Sequence, residues 1–173
     1  NWINDYANEN KFNLVIGVSG GIDSAVTSAL CAKTKIKTIV VSMPIRQNKN
    51  QHNLSLQHIN WLKSNYNNIL DYTISLDSVF KSFKDTMGSF NSELAFANSR
   101  SRLRMVALYQ IAQSKNAIVV GTGNKIEDFG IGFYTKYGDG GVDISPIADC
   151  NKTEVWEIGR SLNLLKEIIE AAP

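Results

Sequence analysis

The residues with the clearest chemical potential form a glycine-rich turn near the start of the chain. The apolar run 14–18 leads directly into Ser19-Gly20-Gly21, and a helical pattern begins immediately behind it. Glycines let a backbone turn tightly and bring its N–H groups close to a ligand, and the N-terminus of a helix favours negative charge. Ser19 and Ser24 add hydroxyl donors. The turn is therefore predicted to bind an anion of the size of pyrophosphate.

Asp23 lies inside this turn, although a carboxylate repels phosphate. Its presence is explained if a divalent cation binds between the carboxylate and the phosphates. A second carboxylate, Glu127, lies shortly after the apolar run 117–120, and Mg²⁺ usually takes one or two carboxylates plus phosphate oxygens. On spacing alone, Glu127 fits a helix start equally well, because acidic side chains stabilise the first turn.

Further polar side chains follow the later segments. Thr122 lies at the tip of the predicted strand 117–120 and offers a hydroxyl. The glycine-rich segment 130–145 holds one cation and two acids that suit a phosphate, a ribose or an amine: Lys136, Asp139 and Asp143. Lys152 lies in the first turn of a predicted helix, where a cation is unfavourable for the helix dipole. This position hints at a ligand, although a solvated lysine explains it equally well.

Three arginines, Arg100, Arg102 and Arg104, alternate along a predicted long helix. Residues two apart on a helix point to different faces, so at least one guanidinium should turn inward, where it needs an anion. His52 and His58 are six residues apart, which is no metal-ligand spacing, and both are predicted to face solvent.

The elements that must position these residues alternate between strands and helices. Apolar runs predict strands at Leu14–Val18, Thr38–Met43, Tyr72–Leu76 and Ala117–Val120. Helical periodicity predicts helices at Ile22–Lys33, Leu54–Tyr66, Val79–Met87, Glu93–Ser114, Lys152–Leu162 and Leu165–Ala171, with loops at 46–53 and 130–145. This alternation predicts an α/β fold, a parallel twisted sheet with helices on both faces, Rossmann-like. Ligands bind such sheets beyond the carboxyl ends of the strands, where the polar segments meet.

Length and composition bound the remaining possibilities. The 173 residues fit one α/β domain, and 43% hydrophobic and 20% charged residues are ordinary for a globular protein. A net charge of +2 implies no strong attraction to nucleic acid or membranes. No apolar run approaches the roughly 20 residues of a membrane span, and no signal peptide is visible. Cys31 and Cys150 lack metal-ligand spacing, so reduced thiols in a cytoplasmic protein are expected.

The turn Ser19-Gly20-Gly21-Ile22-Asp23-Ser24 carries the first family resemblance. No Gly-Lys-Ser/Thr follows the glycines, and their spacing does not fit the dinucleotide-binding pattern G-x-G-x-x-G. Ser-Gly-Gly-x-Asp-Ser after a strand instead resembles the N-type ATP pyrophosphatases, which have an adenine nucleotide alpha hydrolase-like fold. These enzymes cleave ATP between its α and β phosphates.

Four later segments make the resemblance more specific. They are Arg102-Leu103-Arg104-Met105, Gly121-Thr122-Gly123-Asn124-Lys125-Ile126-Glu127, Thr135-Lys136-Tyr137-Gly138-Asp139-Gly140, and Pro146 followed by Lys152-Thr153-Glu154. Together with the turn, they resemble ammonia-dependent NAD synthetase in the family's order and over nearly the whole chain. The family continues well beyond a proline such as Pro173, so we expect a single domain over 1–173 that lacks its C-terminal segment.

The resemblance implies a reaction and a role for each matching residue. Deamido-NAD would be adenylated by ATP, and ammonia would then displace AMP to give NAD. The implied ATP contacts are Ser19, Gly20, Gly21, Asp23, Ser24, Thr122 and Lys152, with Asp23 and Glu127 as Mg²⁺ ligands. The implied deamido-NAD contacts are Arg102, Lys136 and Asp143, and the implied catalytic residues are Asp139, near the ammonia, and Lys152. Arg46 and Gln47 match the family loosely, as adenine or ribose contacts.

The same resemblance implies a homodimer and no nucleic-acid or membrane partner. Two rival functions stay open on the sequence. One is another pyrophosphatase-type ligase, GMP-synthetase-like or tRNA-modifying, although a charge of +2 gives no support to a tRNA partner. The second is a non-catalytic nucleotide-binding module, which would not need Asp23 and Glu127 together.

Overall fold

The computed structural model describes residues 2–171, in which four strands alternate with seven helices. The strands are β1 (Asn13–Gly17), β2 (Thr38–Ser42), β3 (Ile69–Thr73) and β4 (Ala117–Val120). The helices are α1 (Trp2–Glu9), α2 (Ile22–Lys33), α3 (Lys49–Asn65), α4 (Asp77–Met87), α5 (Glu93–Ser114), α6 (Lys152–Ser161) and α7 (Lys166–Ile169), and a π-helical turn spans Ile126–Gly130. Among the described helices, none is long and apolar enough to cross a membrane.

The four strands form one parallel sheet in the order β3-β2-β1-β4. Strand β1 is central, and its Ile16 pairs with Val40 of β2 on one side and with Val120 of β4 on the other. The predicted parallel sheet of an α/β fold is confirmed. Because all strands run in the same direction, the segments after β1, β2 and β4 meet at one edge of the sheet.

Alternating side chains of each strand pack into two hydrophobic cores, one on each face of the sheet. Leu14 and Ile16 of β1 belong to the core formed with α1, α2, α3, α6 and α7, whereas Val15 belongs to the core formed with α4 and α5. This division follows from the two-residue period of a strand. Helices cover both faces, as predicted, so the strands are buried on both sides and read as continuous apolar runs.

Two elements, β3 and α3, differ most from their predicted boundaries, and each difference has a local cause. The third strand is Ile69–Thr73 rather than Tyr72–Leu76, because its pairing with β2 starts at the earlier residue. Helix α3 begins at Lys49, inside the predicted loop 46–53. It begins there because the side chain of Asn48 caps the helix by accepting an N–H group of the first turn at 2.9 Å.

Candidate active site

The turn that joins β1 to α2 is held in shape by its two serines. Ser24 Oγ accepts the N–H of Ser19 at 3.2 Å and lies 3.1 Å from Ser19 Oγ, which accepts the N–H of Gly21 at 3.2 Å. Gly20 has a φ of +93°, and a Cβ at this position would collide with the carbonyl oxygen of Gln51. Glycine is therefore required at position 20 by both its backbone conformation and the closeness of α3.

Three backbone N–H groups of this turn are available for a ligand. Those of Gly20, Ile22 and Asp23 find no acceptor within residues 2–171. Gly20 and Ile22 are buried, and buried N–H groups are almost always paired in native proteins. An anion bound at the turn would pair them, which fits the predicted pyrophosphate site.

The carboxylates of Asp23 and Glu127 converge on one point, which the ammonium group of Lys152 fills. Lys152 Nζ lies 2.5 Å from Asp23 Oδ2 and 3.0 Å from Glu127 Oε1. The three side chains come from α2, the π-helical turn and α6, and all are at least partly shielded from solvent. Two carboxylate oxygens aimed at one cation fit the donor set of Mg²⁺, which is completed by phosphate oxygens.

Lys152 keeps its positive charge at this point. Burial alone would lower the pKa of the Lys152 ammonium, but its hydrogen bonds to Asp23 and Glu127 outweigh burial and raise the pKa above its ordinary value. The start of α6 is fixed by a capping box in which Glu154 Oε2 accepts the N–H of Asn151 at 2.7 Å. The capping box therefore fixes the backbone at the start of α6, where Lys152 reaches the two carboxylates.

Asn124 belongs to the same cluster and has no assigned role in the sequence-based prediction. Its fully buried side chain donates from Nδ2 to Asp23 Oδ1 at 2.9 Å, and its Oδ1 accepts the N–H groups of Ile126 and Glu127 at 3.1 Å each. Asn124 therefore orients Asp23 and fixes the turn that carries Glu127. The sequence feature that could have pointed to Asn124 is its position four residues after the end of β4.

A cavity of about 510 Å³ opens beside the serine-glycine turn, at the carboxyl ends of β1, β2 and β4. Six residues with a predicted ligand contact line it: Ser19, Ser24, Arg46, Gln47, Thr122 and Asp139. Its apolar walls include Met43, Met105 and Leu108. A cavity of this volume that combines apolar walls with polar groups is typical of a small-molecule site.

Arg100 and Arg104, four residues apart, lie on one side of α5, and Arg102 lies on another, as predicted for positions two apart. Arg104 turns inward, lines the cavity and donates from Nε to the carbonyl oxygen of Met43 at 3.0 Å. Burial lowers the pKa of its guanidinium. Arg102 is exposed and donates from Nε to the carbonyl oxygen of Lys136 at 3.1 Å. The inward arginine thus has a backbone carbonyl as its acceptor, where the sequence predicted an anion.

Asp139 anchors the glycine-rich segment to α5. Its Oδ1 accepts the hydroxyl of Ser101 at 2.5 Å and the N–H of Thr135 at 3.0 Å, and its own N–H donates to Ser101 Oγ at 2.9 Å. Ser101 also lines the cavity. It is a second residue that sequence reasoning missed, because a serine in mid-helix gives no signal of such a contact.

Asp143 uses both carboxylate oxygens within the protein. Oδ1 accepts the hydroxyl of Tyr109 at 3.1 Å, and Oδ2 accepts the N–H of Val119 at 2.7 Å. Burial, together with the bond to Asp143, raises the pKa of Tyr109 to about 12. Asp143 lies outside the lining of the 510 Å³ cavity, and so does Lys136, whose ammonium lies 5.0 Å from the centre of the Tyr137 ring. These two predicted substrate contacts therefore do not line the cavity beside the serine-glycine turn.

His58 is buried, and the prediction that it faces solvent is wrong. Its Nε2 lies 2.9 Å from Ser28 Oγ, and its ring stacks on Trp61 with 5.6 Å between ring centres. Burial lowers the pKa of His58 to about 4. The neighbouring apolar residues Ile59 and Leu62 mark the side of α3 that faces the sheet, and His58 lies on that side.

The chain matches the NAD synthase family over residues 1–173. It is 38% identical to an NH(3)-dependent NAD(+) synthetase from Carboxydothermus hydrogenoformans, over 100% of this chain and 71% of that protein. It is 40% identical to another from Saccharolobus solfataricus, over 92% of this chain and 56% of that protein. A solved structure of an NMN synthetase from Francisella tularensis is 37% identical with a TM-score of 0.92, over 99% of this chain and 71% of that one.

These matches agree with the resemblance that the sequence segments carry. They extend over the turn, the Asp23–Lys152–Glu127 cluster and the glycine-rich segment alike, although the chain spans only part of each relative's length. Sequence, fold and site geometry lead to one conclusion: this chain belongs to the NAD synthase family.

Proposed function

We propose that this chain catalyses the ATP-dependent amidation of deamido-NAD by ammonia, giving NAD, AMP and pyrophosphate. The convergence of Asp23 and Glu127 on one cation position carries the proposal, because it sets a cation site against the anion-binding turn. Cleavage of ATP between the α and β phosphates builds negative charge on the departing pyrophosphate, which a cation and preorganised N–H donors stabilise. Family membership and the names of the two relatives support the same reaction.

The proposed reaction consists of two substitutions. A carboxylate oxygen of deamido-NAD attacks the α-phosphorus of ATP, the bond to the bridging oxygen breaks, and pyrophosphate leaves. The nitrogen of ammonia then attacks the carbonyl carbon of the adenylate, AMP leaves, and the amide of NAD remains. Both steps act on activated centres, so the protein contributes mainly position and electrostatic stabilisation.

The serine-glycine turn and the carboxylate cluster serve the first substitution. The residues that would hold the departing pyrophosphate are Ser19, Gly20, Gly21 and Ser24. Asp23 and Glu127 would hold Mg²⁺, which when bound neutralises charge on the phosphates. Thr122 and Lys152 would contact ATP, and Thr122 already lines the cavity.

The second half of the site would hold the acceptor and ammonia. Arg102 and Lys136 are both exposed cations, and Arg102 Nε donates to the carbonyl oxygen of Lys136, so the α5 helix and the glycine-rich segment both offer positive charge that suits a dinucleotide with two phosphates. Asp139 binds protein groups through Oδ1, and no hydrogen bond within residues 2–171 reaches its Oδ2. That oxygen would bind ammonium or take its proton. Asp143 would contact deamido-NAD from the adjoining segment.

A second candidate differs only in the acceptor. The Francisella tularensis structure is named an NMN synthetase and matches this chain with a TM-score of 0.92. Amidation of deamido-NMN would need the same turn and the same carboxylates, with fewer contacts beyond the cavity. The family match does not favour a GMP-synthetase-like ligase, a tRNA-modifying ligase or a non-catalytic nucleotide-binding module.

A homodimer is part of the proposal. Large apolar side chains of one segment are more than 70% exposed: Phe129, Ile131, Phe133 and Tyr137. Several large exposed apolar side chains in one segment are typical of a protein–protein interface. Sizing chromatography with light scattering tests it, and a mass near 19.2 kDa at micromolar concentration contradicts it.

One assay tests the reaction. The protein is incubated with ATP, Mg²⁺ and ammonium, and with either deamido-NAD or deamido-NMN, and the products are separated by chromatography. NAD formed with an equal amount of AMP supports the first candidate, and NMN favours the second. AMP that appears only with a different acceptor contradicts both. A reaction without ammonium and the Asp23→Asn variant are the controls.

A further inference from the structure

Two side chains, one just before helix α3 and one within it, donate hydrogen bonds to the carbonyl groups of the serine-glycine turn. Gln47, two residues before the helix, donates from Nε2 to the carbonyl oxygen of Ser19 at 2.9 Å. Ser55, within α3, donates from Oγ to the carbonyl oxygen of Val18 at 2.9 Å. The carbonyl groups of two successive residues, Val18 and Ser19, are therefore bound by side chains of α3 and of the segment that leads into it.

These bonds fix the direction of the peptide groups. In a trans peptide the C=O of one residue and the N–H of the next point in opposite directions. The Ser19 carbonyl points to Gln47, so the N–H of Gly20 points away from it. Gly20 is buried, and its N–H finds no acceptor in the described part of the chain. A donor held in this way, buried and unpaired, is prepared for an anion.

We propose that Gln47 is a positioning residue for the pyrophosphate site, acting through the Ser19–Gly20 peptide. Its amide N–H holds the peptide in the orientation that presents the Gly20 N–H to the phosphate. This inference deepens the proposed function and rests on it, because the anion is taken to be the pyrophosphate portion of ATP. The sequence-based interpretation of Gln47 as an adenine or ribose contact leaves this bond unexplained.

The effect of Gln47 depends on its donor group. At φ +93° Gly20 has no side chain to hold the peptide, so rotation of the peptide is opposed mainly by the bond from Gln47 and by the packing of Gly20 against Gln51 and Ser55. Leucine at position 47 keeps the volume and removes the donor, whereas lysine restores an N–H donor at a similar reach. Gln57, exposed on α3 and without a contact to the turn, offers the same substitution as a control.

The experiment follows the amide signal of Gly20 by NMR while ¹⁵N-labelled protein is titrated with inorganic pyrophosphate at constant Mg²⁺. We expect Gln47→Leu to raise the Kd for pyrophosphate about tenfold and to reduce the shift of the Gly20 signal, because one charge-assisted hydrogen bond is no longer held in place. Gln47→Lys should recover most of the affinity, and Gln57→Leu should leave it unchanged. Urea unfolding of each variant checks that stability is equal.

Wild-type affinity in Gln47→Leu, or an equal loss in Gln57→Leu, overturns the proposal. A loss in Gln47→Leu that Gln47→Lys does not recover also overturns it, since packing would then be the cause. In the amidation assay, Gln47→Leu should lower kcat with ATP and leave the KM for ammonium unchanged. Pyrophosphate binding needs no acceptor, so this test can succeed even if neither deamido-NAD nor deamido-NMN is a substrate.

Discussion

Asn124 and Asp23 are joined by a hydrogen bond of 2.9 Å across 101 positions of the sequence. The bond links the segment after β4 to the first turn of α2, and it leaves Asp23 Oδ2 for the Lys152 ammonium. The cation position is therefore defined by three separate parts of the chain, so it forms only when the sheet has assembled.

Replacement of Lys152 by methionine should strengthen metal binding and weaken catalysis. The Lys152 ammonium occupies the point on which the two carboxylates converge, so a metal ion must displace it. Without nucleotide, we expect the Mn²⁺ affinity measured by electron paramagnetic resonance to rise about tenfold in Lys152→Met, a gain of about 1.4 kcal/mol. Lys166→Met, at an exposed ion pair, should not change it. Equal or weaker Mn²⁺ binding in Lys152→Met would contradict the shared position.

Glu127→Gln should make the reaction more dependent on Mg²⁺ concentration. An amide oxygen carries no charge and is a poorer ligand than a carboxylate, so we expect turnover to fall at least tenfold at low Mg²⁺ and to recover partly at high Mg²⁺. Initial rates across a Mg²⁺ series give the measurement, and Glu157→Gln, exposed on α6, is the control. Near-normal turnover at low Mg²⁺ would remove Glu127 from the cation site.

Gly20→Ala and Gly88→Ala should separate backbone strain from collision. Both glycines have positive φ, but only at Gly20 would a Cβ meet other atoms, whereas Gly88 has open space. We expect Gly88→Ala to lower the free energy of unfolding by about 1 kcal/mol and Gly20→Ala by about 3 kcal/mol. Urea unfolding measures both values. Similar losses of unfolding free energy in the two variants would show that the collision with α3 adds no cost at Gly20.

His58 should make the protein less stable as the pH falls from about 6.5 to about 4. Its pKa in the folded protein is about 4, below its ordinary value of 6.5, so between these pH values the unfolded chain binds a proton that the native protein does not. The stability due to neutral His58 is therefore complete above pH 6.5 and decreases by up to about 3 kcal/mol toward pH 4. Urea unfolding at pH 7, 5.5 and 4.5 should show a shallower loss of stability in His58→Gln than in the wild type.

Most of the fold and part of the site could be predicted from residue periodicity and from the polar residues at strand ends. The two-residue period of β1 places Leu14 and Ile16 on one face and Val15 on the other, and the Gly-Gly pair after β1 indicates a tight turn that requires glycine. The start of α3 was missed because its cap, Asn48, precedes polar residues that resemble a loop.

Contacts between distant segments were beyond sequence reasoning. The bond from Ser101 to Asp139 and the bonds of Asp143 to Tyr109 and Val119 depend on how α5 lies against β4. The burial of His58 depends in the same way on the packing of α3 against α2. Residue type and spacing indicate which side chains suit a ligand, but only packing decides which of them already bind protein groups.

The central position of β1 in the order β3-β2-β1-β4 has a consequence for how this molecule can change. The turn that faces the phosphates is fixed by the two innermost strands and by α3, whereas residues 131–143 are attached to α5 through the bonds between Ser101 and Asp139. Residues 131–143 hold three of the proposed contacts to the acceptor and ammonia, Lys136, Asp139 and Asp143, while Thr122, Asn124 and Glu127 belong to the nucleotide half. A new segment in place of residues 131–143 would therefore redirect the chemistry to another acceptor while the nucleotide half kept its form.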